Sequence, residues 1–112
     1  MQVGFAAADV TPPIGREVPG GFSKAYSNNI HDPLLATAMV IACGERRVVL
    51  VGLDNLSVKR SVVQAARSII HERTGIPGSH VMIGASHTHN GGPGIGALPG
   101  DFACSFDPEF CE

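Results

Sequence analysis

Residues 48–53, Val48-Val49-Leu50-Val51-Gly52-Leu53, are apolar at every position rather than at every second one. A strand with one wet face alternates, whereas an uninterrupted β-branched run is the pattern of a strand covered on both faces. This segment is therefore predicted to be central to its sheet, and the rest of the chain has to be arranged around it.

The flanking segments supply its neighbours. Residues 36–43 form a second apolar run, separated from residues 47–54 by Gly44-Glu45-Arg46, which is hairpin chemistry, so the two runs are predicted to pair antiparallel. On the other side, Ser57 is placed to cap a helix that runs to about Thr74, with Val62, Ala66, Ile69 and Ile70 as its apolar stripe. Lys59, Arg60, Arg67 and Arg73 lie largely outside that stripe, and Gly75 and Pro77 end the helix. Residues 80–85 are a further short apolar strand. Residues 47–85 thus read as strand, helix, strand, a parallel crossover expected to be right-handed. The predicted class is α/β, a mixed sheet with a strand–helix–strand crossover.

Ahead of the hairpin, residues 3–10 are small and apolar and read as a short strand, stopped by Thr11-Pro12-Pro13, where two prolines remove backbone donors. Asp9 is placed to cap the turn into Thr11. Residues 12–33 contain Gly15, Gly20, Gly21, Ser23, Ser27, Asn28 and Asn29 with little periodicity, the signature of a long irregular loop. Loops of that length inside compact domains are usually functional or mobile.

Size and charge limit what such a chain does. Its 112 residues suit one small domain with a modest core. The formal charge is −2 and no basic cluster exceeds Arg46-Arg47, which leaves no electrostatic footprint for nucleic acid. No apolar stretch approaches the length needed to cross a bilayer, and Met1-Gln2-Val3-Gly4-Phe5 has neither the basic nor the long apolar region of an export signal. Cys43 sits in an apolar run and is expected to be buried. Cys104 and Cys111, seven apart in an aromatic and acidic tail, are compatible with a disulfide or with two thiols, and the three cysteines lack the spacing of a structural zinc site.

The chemistry gathers after the last predicted strand, in Ser86-His87-Thr88-His89-Asn90-Gly91-Gly92-Pro93-Gly94-Ile95-Gly96. Two histidines one residue apart in extended chain point their imidazoles to the same side, so His87 and His89 can address one centre. Neutral imidazole is a good zinc ligand; a catalytic zinc takes about three protein ligands and leaves a position for water. The same spacing also fits a plain polar loop. Position favours the metal, because open α/β sheets place their ligands beyond the carboxyl ends of parallel strands. Asp54 ends the neighbouring strand in the same way. It fits either a turn or cap role or that of a carboxylate accepting a hydrogen bond from a ligand histidine. Gly91, Gly92, Gly94 and Gly96 leave the backbone close to whatever binds, so this stretch reads as a substrate loop. His31, His71 and His80 are assigned no chemistry.

Two common metal motifs are excluded. Metallo-β-lactamase-type hydrolases continue His-x-His with x-Asp-His, where this chain has Asn90-Gly91-Gly92, and HExxH is absent.

The order of features resembles the beginning of the neutral/alkaline non-lysosomal ceramidase family. The blocks that carry the resemblance are residues 4–13, with Asp9-Val10-Thr11-Pro12-Pro13, then Gly20-Gly21-Phe22, His31-Asp32-Pro33-Leu34, residues 48–54, His80-Val81-Met82-Ile83, and residues 86–94, reaching to about Gly96. The resemblance implies a zinc-dependent amidohydrolase that cleaves N-acylsphingosine (ceramide), or a related N-acyl lipid, to fatty acid and amine. It implies His87 as the zinc ligand and His89 as a catalytic group on the substrate side. The family's other ligands, a second histidine, a glutamate and a tyrosine, lie far downstream, as does the serine implicated in catalysis. None has a counterpart here, so the resemblance implies that the chain is part of a larger metallohydrolase domain and needs the remainder of it. The family usually reads Thr-His-Thr-His-Ser-Gly-Pro, whereas Ser86 and Asn90 stand here in the flanking positions and an extra glycine precedes Pro93. Family members are often secreted or membrane-associated. The alternative reading, from a different class, is a non-catalytic binding or structural module that keeps the sheet.

Overall fold

The computed structural model describes residues 1–94 and 109–111. Four strands form one sheet in the order β1 (Gln2–Asp9), β2 (Leu35–Cys43), β3 (Arg46–Leu53), β4 (Val81–Ala85). β1 pairs antiparallel with β2 and β2 antiparallel with β3, while β3 and β4 are parallel, joined by helix α1 (Arg60–Thr74) and a 3₁₀ turn, Gly78–His80. This is the expected α/β architecture with its hairpin and its crossover.

Register decides which side chains share a face. Val40, Val49 and Val81 lie in one cross-strand row, and α1 packs on that side through Ile70. Val49, Ile76 and Val81 are buried, Val81 to 1% exposure, with Val40, Val51, Ile70 and Ile83 around them. Burial of such apolar groups contributes roughly 1.5–3 kcal/mol for each large side chain. The opposite face carries the row Phe5, Met39, Leu50, Met82 and the row Val3, Ile41, Val48. Among the described residues nothing covers it: Phe5 is 74% and Met82 62% exposed. β3 is therefore central, but among the described residues it is covered on one face, not two. Its continuous apolar run fills the core row with Val49 and Val51 and the open rows with Val48 and Leu50.

Three further expectations are corrected. The helix begins at Arg60 with Lys59 in the N-cap position and no side-chain cap, so Ser57 does not cap it. The intervening chain is held instead at the end of the sheet, where the Asn55 N–H folds back onto the Leu53 carbonyl at 2.9 Å. Arg67 belongs to the inward face: its Nε and Nη2 donate to the Val81 carbonyl at 2.9 and 2.7 Å, clamping α1 to β4, while Ile69 is 48% exposed. A guanidinium reaches past its apolar stem to a strand-end carbonyl, a contact that a leucine or isoleucine cannot make. Cys43 is exposed, because it is the last residue of β2, opposite Arg46 and on the open face.

Other local readings agree. Gly75 closes α1 at φ +72° with its N–H on the His71 carbonyl at 2.8 Å, the left-handed stop that favours glycine. Thr11 N–H donates to Asp9 Oδ1 at 2.8 Å, the predicted turn cap. Within residues 12–33 the chain doubles back on itself through Val18 N–H to Ala25 O and Ser27 N–H to Arg16 O, both 2.9 Å, with a bridge between Glu17 and Tyr26. Cys104 and Gly96 lie outside the described residues. Among the described residues no helix is long and apolar enough to cross a membrane.

Candidate active site

The parallel pairing of β3 and β4 continues past both strand ends as irregular hydrogen bonding. Ser86 N–H donates to Leu53 O at 2.9 Å, and His87 N–H donates to Asn55 O at 3.0 Å. The His87 ring then turns toward the same segment, with Nδ1 2.8 Å from the Leu56 carbonyl. A carbonyl oxygen only accepts, so in the neutral ring Nδ1 carries the proton and the lone pair sits on Nε2. Metal-bound imidazoles have this arrangement, the distal nitrogen donating to a carbonyl while the other faces the ion.

The backbone that achieves this is not extended. His87 has φ +65°, the left-handed region, where non-glycine residues are uncommon and cluster at functional positions. The two imidazoles nevertheless meet, with centroids 5.0 Å apart and planes at 87°, edge to face. Both histidines are exposed. The juxtaposition predicted from an extended His-x-His is therefore present, but a left-handed turn at His87 produces it.

His89 is bounded from the long loop. A Cβ at Gly20 would lie 2.8 Å from His89 Cγ and Nδ1, so the absence of a side chain at Gly20 is what lets this ring sit against the loop. Asp54 stands at the same end of the sheet, but its Oδ2 accepts from Leu35 N–H at 3.0 Å; the acceptor that orients the His87 ring is the Leu56 carbonyl. Gly91, Gly92 and Gly94 are buried. Their close approach is to the chain itself: a Cβ at Gly91 would be 2.8 Å from Asn55 Oδ1, one at Gly92 would overlap the Phe110 ring, and one at Gly94 would overlap Asn55 Nδ2.

A cleft of about 630 Å³ opens between the long loop and residues 88–91, walled by Tyr26, Asn28, Asn29, His31, Thr88 and Asn90 among others. It borders the histidine loop without being lined by His87 or His89. His31, assigned no chemistry from the sequence, stands in its wall, whereas His71 Nδ1 and His80 Nδ1 face backbone carbonyls of Ile76 and Arg47. Asn55, Gly20 and the Leu56 carbonyl also escaped the sequence reading. Gly20 had a visible signal in its Gly-Gly doublet, but a backbone carbonyl has none.

As a metal site the donor chemistry fits and the donor number falls short. His87 Nε2 is presented as a zinc ligand requires, but two imidazoles are fewer than the roughly three protein ligands of a catalytic zinc. Among the described residues no group of three or more histidine, cysteine or acidic side chains converges.

No family model and no curated protein matches the chain. Solved structures do. Neutral ceramidase from Pseudomonas aeruginosa aligns with a TM-score of 0.66 and 30% identity over 80% of this chain, and a ceramidase complexed with C2 aligns with a TM-score of 0.68 and 29% identity over the same share. The chain spans 15% of the length of each. A four-stranded mixed sheet with one crossover helix and a histidine pair at the carboxyl end of its parallel strands is thus a ceramidase-like fold, matching part of a ceramidase domain.

Proposed function

We propose that this chain is the amino-terminal part of the catalytic domain of a zinc-dependent amidohydrolase of the neutral ceramidase family, acting on the amide bond of an N-acylsphingosine or a related N-acyl lipid. The observation that carries the reading is the His87 ring, held through Nδ1 by the Leu56 carbonyl with Nε2 turned outward, in a fold that aligns with neutral ceramidase at 30% identity. In this reading His87 is a zinc ligand, and the remaining ligands come from parts of the protein beyond these residues. Bound zinc supplies a polarised amide carbonyl and a water acidified toward a pKa of about 7.

The chain's own residues then bind and orient. His89, seated on Gly20 and edge-on to His87, is the catalytic group on the substrate side, a hydrogen-bond partner for the amide. The cleft beside it is walled by the amide and hydroxyl side chains of Asn28, Asn29, Tyr26 and Thr88 together with apolar Val18, Ile30 and Leu34, a mixed lining that suits an amphiphilic substrate. Asp54 supports the site indirectly, by joining the start of β2 to the end of β3.

The test is made on the full-length gene product. The expected result is about one zinc per chain and release of fatty acid from N-acylsphingosine, both lost in His87→Ala. Unchanged zinc content in His87→Ala refutes the ligand assignment. Zinc and lipid binding without amide cleavage in the unmodified protein would move the reading to the non-catalytic module.

A further inference from the structure

We infer that Asn55 is the positioning residue of His87: it sets the orientation and the conformation of that imidazole before any metal arrives. The inference rests on His87 being a ligand. Asn55 is 3% exposed, a buried polar side chain directly beneath the histidine loop. Its Oδ1 accepts the Leu56 N–H at 2.9 Å and so fixes the residue whose carbonyl receives His87 Nδ1. Its own main-chain carbonyl accepts the His87 N–H at 3.0 Å. One residue thereby holds the His87 backbone directly and bears on its ring contact through Leu56.

The loop also closes over Asn55 from the other side. A Cβ at Gly91 would lie 2.8 Å from Oδ1 and 3.0 Å from Cα of Asn55, and one at Gly94 would overlap Nδ2. The side chain is therefore gripped between the end of β3 and residues 91–94, with no freedom to release Leu56. This enclosure accounts for the left-handed His87. A residue stays at φ +65° only where its surroundings over-determine it, and here two backbone hydrogen-bond partners and the packed glycines do so.

The chemistry selects asparagine. A leucine has a similar shape but leaves the Leu56 N–H without its acceptor, so the Asn55–Leu56 peptide, whose carbonyl takes the His87 N–H, loses one of its two anchors, and the Leu56 residue that carries the ring's acceptor is held less firmly. An aspartate keeps the acceptor. Groups that orient metal-bound histidines are worth about 10–100-fold in metal affinity.

The experiment measures zinc affinity of the full-length protein by competition with a chromophoric chelator, alongside the melting temperature of the zinc-free protein, for Asn55→Leu, Asn55→Asp and His87→Ala. The expected result is an affinity loss of about 10–100-fold in Asn55→Leu, measured on folded protein, with most of it recovered in Asn55→Asp. A role limited to stability would lower the melting temperature and leave the affinity of the folded fraction unchanged. Wild-type affinity in Asn55→Leu therefore overturns the inference. If that variant does not fold, Gly91→Ala, which crowds Oδ1 from outside, is measured in its place, and wild-type affinity there overturns it equally. Zinc retained by His87→Ala shows instead that His87 is not a ligand, and the inference then falls with the proposed site.

Discussion

The contact between Gly20 and His89 makes a single methyl group a probe of whether the long loop belongs to the site. Alanine at position 20 meets two obstacles. Its backbone is at φ +116°, a conformation that costs an L-residue on the order of 1–3 kcal/mol. Its Cβ would lie 2.8 Å from Cγ and Nδ1 of His89, about 0.6 Å inside an ordinary contact, and both atoms belong to a rigid ring with no flexible end to swing aside. The imidazole or the loop must move by that amount. A misplacement of about 1 Å at a reacting centre costs roughly 100-fold, so a shift near half that is expected to lower kcat/KM for an N-acyl amide about tenfold. Zinc content should hold, because the contact is to His89 and not to His87. Gly21→Ala is the matched control: its Cβ would meet only the Ser23 backbone, with the Ser23 carbonyl oxygen nearest at 3.4 Å, and its activity should stay near wild type. A Gly20→Ala enzyme within twofold of wild type in kcat/KM would refute the placement of the loop in the active site.

Other perturbations test the frame. Arg67→Met removes both donors to the Val81 carbonyl, and the free energy of opening β4, read by amide hydrogen exchange, should fall by about 2 kcal/mol; a change under about 0.5 kcal/mol would show that the clamp is idle. Asp9 is held below the usual carboxylate range by its hydrogen bonds from the Thr11 side chain and backbone, so what it contributes to stability is fully present above its ordinary value of 3.8 and is lost as pH falls through the depressed value. Asp9→Asn should flatten that acid limb, and a carboxyl resonance of Asp9 titrating at or above 3.8 would contradict the cap. The uncovered sheet face predicts that the 112-residue chain by itself self-associates, with light scattering that rises with concentration and drops in a Phe5→Lys, Met82→Lys double variant; equal scattering from both would place the association elsewhere.

Much of the fold was legible because its signals are local. The Gly44 hairpin, the Gly75 stop and the strand–helix–strand order each follow from a few adjacent residues whose backbone preferences agree. The misreadings share one cause, which is tertiary context. Arg67 is charged, which favours a place outside the stripe, yet its two hydrogen bonds to the Val81 carbonyl bring it inward. The all-apolar run of β3 signals burial on both faces, but only the neighbours that pack on it decide which face is covered. Cys43 follows an apolar run and still lies in solvent, because a strand's last residue at a turn has left the core.

The histidine pair of the candidate site was legible in the sequence and its supports were hidden, and the topology explains both. β1 runs toward the end of the sheet at which β2 begins, and β3 and β4 both run toward that end, so Asp9, Leu35, Leu53 and Ala85 stand near one rim. Every loop leaving that rim is therefore delivered to the same place: the long loop with Gly20, the β3 exit with Asn55 and Leu56, and the β4 exit with His87 and His89. A His-x-His at the end of a parallel strand announces itself because imidazoles are rare and their spacing is chemical. The parts that aim it are a main-chain carbonyl, a missing Cβ and one buried amide, and none of these has a motif. They become recognisable only when the strands bring three distant segments together, which is why the histidine pair can be read from one line of sequence and its orientation cannot.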